Sequence, residues 1–133
     1  IATKGNEVKN LLIEETKYTP KINLDAKKRL IELVGKSYPE NTFDFYKPIM
    51  EWLEEYFNEN SNKRTVVKME IIYFNSRSSK LFFDLFDLLD EAKKNNEIEV
   101  NWIYDKENDN AKEAGEDYMD DFKDLNIKLV EKE

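Results

Sequence analysis

The chain has 133 residues and a formal net charge of −8, with 38% charged and 40% apolar side chains, which fits one heavily charged domain with a core of its own. The acidic balance argues against unspecific binding to nucleic acid or to an anionic membrane, both of which need clustered Lys and Arg. Cysteine and histidine are absent, which excludes disulfides, zinc–thiolate sites and nucleophile schemes of the Ser-His-Asp or Cys-His kind.

No apolar run approaches the ~20 residues that cross a bilayer, so no membrane insertion and a cytoplasmic location are expected. With three glycines there is no phosphate-cradling loop and no nucleotide motif, so no cofactor is expected. An enzyme is the least favoured class.

In chain order, Asn10–Ile13 and Lys21–Asp25 are short apolar stretches split by Pro20, expected to be edge strands or extended segments. Ala26-Lys27-Lys28 is the expected hairpin turn, and Arg29–Val34 the next strand, ended by Gly35. Ser37-Tyr38-Pro39-Glu40-Asn41 reads as a loop ending in a cap residue. Tyr46, Ile49, Met50, Leu53 and Phe57 recur at helical spacing from Thr42 to about Asn60, with Pro48 expected to kink that helix or to start its second part. Residues 59–63 form a polar loop.

The run 65–74 alternates Val67, Met69, Ile71 and Tyr73 on one face, with Ile72 and Phe74 on the other. A strand apolar on both faces predicts a sheet covered by helices on both sides. It empties into Asn75-Ser76-Arg77-Ser78-Ser79-Lys80, followed by an amphipathic helix from Leu81 to about Asn95. Ile98–Tyr104 is a further strand, Asp105–Asn110 an acidic loop, Ala111–Phe122 a third helix and Asn126–Val130 the last strand. Strands alternating with helices behind a leading hairpin predict a single-domain mixed α/β sheet with a parallel core. Residues 1–17 read as an N-terminal extension expected to hold an edge strand, and 18–133 as the domain.

Asp105-x-Glu107-x-Asp109 with Glu116 resembles a calcium loop poorly: Gly is missing at its sixth position and a strand precedes it. No metal site is expected there. The cluster at 75–80 is the better candidate. Ser and Asn before an apolar-periodic run are helix-start residues, and a helix N-terminus favours negative charge. A hydroxyl there could carry a phosphate, although serines at a helix start are most often plain caps.

Ser37–Asn41, Glu51-Trp52-Leu53, Leu85–Ala92 and Val100–Asp105 with Glu107-Asn108 resemble the SiaC family of bacterial regulatory phosphoproteins over about residues 18–130. The resemblance implies a fold similar to STAS domains, the anti-sigma-factor antagonists. It also implies a partner-switching function tied to cyclic-di-GMP signalling and biofilm regulation. A Ser/Thr protein kinase would phosphorylate the site, a PPM-type protein phosphatase would reverse it, and the unphosphorylated form would bind and activate a diguanylate cyclase. The family pattern Asn-Thr-Ser-Ser-x-Lys aligns Asn75 and Lys80 and puts the acceptor on Ser76, with Ser in place of Thr and Arg77 in place of a small residue.

The partner surface is expected on the first half of helix 2 and the 37–41 loop: Asn75, Arg77, Ser78, Ser79, Lys80 and Phe83, with Tyr38, Glu40 and Asn41. Phe83 falls beside the polar stripe of its helix, where packing alone does not explain a large aromatic. Substitutions on helix 3, such as Asp117→Ala, are expected to leave partner binding nearly unchanged. The rival expectation is a constitutive protein-interaction module in which Ser76 is only a cap.

Overall fold

The structure, a computed structural model, describes residues 8–59 and 64–132. Most of the expected 59–63 loop, and the start of the 1–17 extension, therefore lie outside the described residues. Six strands and three helices follow in the order β1 (Leu11–Ile13), β2 (Lys21–Asp25), β3 (Leu30–Ser37), α1 (Thr42–Glu59), β4 (Arg64–Phe74), α2 (Ser76–Ala92), β5 (Glu97–Asp105), α3 (Asp109–Asp121) and β6 (Asn126–Lys132).

The strands lie in the sheet in the order of the sequence, β1-β2-β3-β4-β5-β6. The β1–β2 and β2–β3 pairs are antiparallel, and β3 to β6 run parallel, as the strand–helix alternation predicts. Each parallel step moves one place in the same direction. Right-handed crossovers then put all three helices on one face.

The expectation of a sheet covered on both faces is therefore corrected. In β4, Thr65, Val67, Met69 and Ile71 are buried beneath the helices, while Lys68 and Ile72 are exposed and Val66 and Glu70 half-exposed. The open face carries cross-strand ion pairs instead: Arg64 with Glu97 and Glu99, and Lys132 with Glu70. Tyr73 and Ile72, expected inside, are 54% and 51% exposed because β4 runs on past Met69, the last residue paired with β5.

Three local expectations also change. Arg29 closes the hairpin in the left-handed region, φ 53°, so β3 begins at Leu30. Gly35 does not end β3. It adopts φ 134° at a register shift against β4, and the strand continues to Ser37; only glycine takes that conformation without strain. Helix α1 runs unbroken through Pro48.

The core lies between the sheet and the helices. Tyr46, Ile49, Leu53 and Tyr56 of α1 and Phe82, Leu85, Phe86 and Leu89 of α2 are buried there, with Trp102 of β5 packed against Phe86 and Tyr118. Helix α3 approaches closely because Gly115 has no side chain: a Cβ there would fall 2.5 Å from Trp102 Cδ1 and 2.6 Å from Leu129 Cδ2.

Candidate functional site

Helix α2 begins at Ser76, five residues before the expected Leu81. Asn75 is the cap: its side-chain oxygen accepts the Ser78 N–H at 2.9 Å and its carbonyl the Ser79 N–H at 2.9 Å. A helix leaves its first four N–H groups without intrahelical partners. The Asn75 side chain satisfies that of Ser78 and the Ser37 carbonyl that of Asn75, so the shortfall falls on Ser76 and Arg77. These are donors suited to an anion, at the positive end of the helix dipole.

The three serines of the turn face three different ways. Ser76 is exposed and lines a cleft of about 440 Å³ between α2 and α3. Ser78, expected on the partner surface, faces inward and is 0% exposed. Its hydroxyl is 2.7 Å from Ser37 Oγ, which is 2.6 Å from Tyr46 Oη. This chain of three buried hydroxyls joins α2, β3 and α1, and burial pushes the Tyr46 phenol well above its usual range. Ser79 is half-buried, and Tyr118 of α3 donates to its carbonyl at 3.2 Å.

The inward turn of Ser78 has a signal in the sequence. Ser78, Phe82, Leu85, Phe86 and Leu89 recur at i, i+4, i+7, i+8 and i+11, the buried face of α2. A hydroxyl on that stripe must find a buried partner.

The remaining expected residues fall into two places. Lys80 and Phe83 line the same cleft as Ser76, and Arg77 is exposed beside it. Phe83 is 43% exposed, with its ring 4.9 Å from that of Phe122. Tyr38 stands half-buried between Tyr18 and Tyr73, its ring 5.3 and 5.5 Å from theirs. The 37–41 segment meets the start of α2 at its root, where the Asn75 N–H donates to the Ser37 carbonyl at 3.1 Å. Its far end turns away. Glu40 lines a separate groove with Tyr18, Tyr38 and Phe45, and Asn41 caps α1 by accepting the Asp44 N–H at 3.0 Å.

Sequence spacing missed the other wall of the cleft. Asp117 and Asp121 of α3 line it opposite Ser76 and Lys80. The Tyr118 phenol between the walls is raised, chiefly by burial, with Asp121 and Asp117 adding to the effect against the lowering hydrogen bond from Ser79.

Ser76 is exposed at the cleft, with Lys80 on its own wall and two carboxylates on the other. Among the described residues no cluster of three carboxylates is arranged to hold a metal ion, and no helix is long and apolar enough to cross a membrane.

Comparison with known proteins gives the family and the fold. A family model described as SiaC family regulatory phosphoprotein matches residues 13–132. An uncharacterized protein of Pseudomonas aeruginosa (strain UCBPP-PA14) is 29% identical over 113 residues, which span 84% of this chain and 89% of that one. The solved structure of SiaC of Pseudomonas aeruginosa aligns with a TM-score of 0.85 at 25% identity, covering 93% of this chain and 99% of the other. A second, with TM-score 0.86 and 26% identity over 92% and 99% of the two chains, is the diguanylate cyclase SiaD of that organism in complex with its activator SiaC. The mixed α/β domain with its six-stranded sheet is the fold of these proteins, and the chain belongs to the SiaC family of regulatory phosphoproteins, a regulator and not an enzyme.

Proposed function

We propose that this protein is a partner switch whose unphosphorylated form binds and activates a diguanylate cyclase, and whose phosphorylation on Ser76 releases that enzyme. The observation that carries the reading is the sorting of the serines. Of the three hydroxyls in the first turn of α2, Ser76 alone is exposed, while Ser78 is buried in a hydroxyl chain and Ser79 is half-buried under Tyr118. Support for the cyclase as partner comes from the relative, which is the activator of SiaD in their complex.

In the forward step the Ser76 oxygen attacks the γ-phosphorus of ATP, the Oγ–P bond forms, ADP leaves and the hydroxyl proton passes to the kinase. A PPM-type phosphatase returns the serine by hydrolysis, releasing inorganic phosphate. The modification adds about −1.5 to −2 charges at the mouth of the cleft. Lys80 and the end of α2 hold that charge without unfolding the domain. A partner that had covered a neutral hydroxyl then meets a hydrated dianion, a change of several kcal/mol against binding.

The test joins site mapping to binding. Mass spectrometry after treatment with the kinase should place phosphate on Ser76 and find none in Ser76→Ala. Ser76→Asp and Phe83→Ala should each weaken binding to a SiaD-type cyclase by at least about tenfold, roughly 1.4 kcal/mol. Phosphate persisting on Ser78 or Ser79 in Ser76→Ala, or unchanged binding by Ser76→Asp, overturns the reading.

A further inference from the structure

The cleft beside Ser76 separates opposite charges. Its apolar lining comes from Phe74, Phe83 and Ala114. On the α2 wall stands Lys80, reinforced by the positive end of the helix. On the α3 wall stand Asp117 and Asp121, both exposed. Among the described residues neither the lysine nor the two aspartates form an ion pair. Two walls of opposite sign that do not close on each other present complementary charge to whatever enters between them.

We infer that the cleft takes a segment of the partner carrying an apolar residue between a carboxylate and a cation, the carboxylate meeting Lys80 and the cation meeting Asp117 and Asp121. The apolar residue lies on Phe83 and Phe74. This rests on the phosphoswitch reading and says which contact the switch reverses. Phosphate on Ser76 turns the α2 wall from about +1 to between −0.5 and −1. The partner's carboxylate is then repelled, while the α3 wall keeps its sign and its hold on the cation. Lys80 and Ser76 thus act on one contact, and Asp117 with Asp121 on another.

The prediction is a pattern of additivity. With the full chain and Pseudomonas aeruginosa SiaD as the probe, calorimetry at two salt concentrations should show Asp117→Lys/Asp121→Lys binding at least tenfold more weakly than wild type. The same factor should recur in the Ser76→Asp background. Lys80→Glu should also cost about tenfold alone, but under threefold on top of Ser76→Asp. Asp117→Asn/Asp121→Asn, a gentler change, should lose severalfold and show a flatter salt dependence, which covers the case in which the lysine variant fails to fold. If Ser76→Asp weakens binding while both aspartate variants bind as wild type, the inference is wrong and the phosphoswitch stands. If the aspartate variants weaken binding while Ser76→Asp does not, the phosphoswitch is wrong and the cleft remains a constitutive docking site. Absence of any binding by the wild-type chain removes both.

Discussion

The junctions β4–α2 and β5–α3 solve the same problem with opposite charge. Each leads from a parallel strand into a helix capped by asparagine: Asn75 accepts the Ser78 N–H at 2.9 Å and Asn108 the Ala111 N–H at 3.1 Å. Helix α3 then places Asp109 in its first turn, and α1, capped by Asn41, places Asp44 there. Helix α2 has no acid in its first turn; it has Ser76, Arg77 and Ser78. Two helices carry a fixed anion at their positive ends. The third carries a hydroxyl and a cation at the corresponding place. A phosphate on Ser76 would supply to α2 what the other two hold permanently, so modification and helix stability favour each other at this one junction.

The largest test of the contrast moves α3 itself. Gly115→Ala drives a methyl against Trp102 and Leu129, and overpacking of this kind costs about 1–3 kcal/mol. Chemical denaturation should show the loss. Binding through Phe83 should fall as well, because the α3 wall is displaced from the cleft.

A smaller effect separates the ways in which the first turn of α2 is anchored. Tyr46→Phe removes one end of the hydroxyl chain through Ser37 to Ser78 and should cost about 1–2 kcal/mol at neutral pH. The pH dependence has a definite sign. Burial raises the phenols of Tyr46, Tyr56 and Tyr118 above their ordinary 10.0. The unfolded chain therefore loses these protons first. Their contribution is full below about pH 10 and declines as pH rises beyond it. Melting curves from pH 8 to 11 should show that decline, less steeply in Tyr46→Phe.

The smallest test exchanges the first-turn charges. Ser76→Asp should stabilise the domain by about 0.3–1 kcal/mol, and Asp109→Ser should destabilise it by a similar amount. A loss of stability in Ser76→Asp would break the contrast between the junctions.

The sheet, its parallel core and the leading hairpin were legible because period-2 and period-3.6 stretches alternate cleanly along the chain. Membership of the SiaC family was legible in four short motifs. What was misread has local causes. The first turn of α2 is polar, so apolar periodicity starts the helix only at Leu81, although the Asn75 cap marks the boundary. Glycine commonly ends strands, which puts the expected end of β3 at Gly35, whereas here it turns a bulge and carries Ser37 into the core. The open face of the sheet follows from strand order, which periodicity within one strand does not contain. The acidic wall of the cleft was invisible for a related reason. Asp117 and Asp121 meet Ser76 only through the packing of α3 beside α2, across some forty residues of chain.

The strand order has one more consequence. Neighbours in the sheet are neighbours in the sequence throughout, so every strand joins at an edge and none must be inserted between two already in place. A chain emerging from the ribosome can lay the sheet down in the order of synthesis, each strand docking on the last. Ser37, Tyr46 and Ser78 have all emerged before the first residue of α3. The first turn of α2 can therefore meet its buried hydroxyl partners before α3, the wall it faces, has left the ribosome.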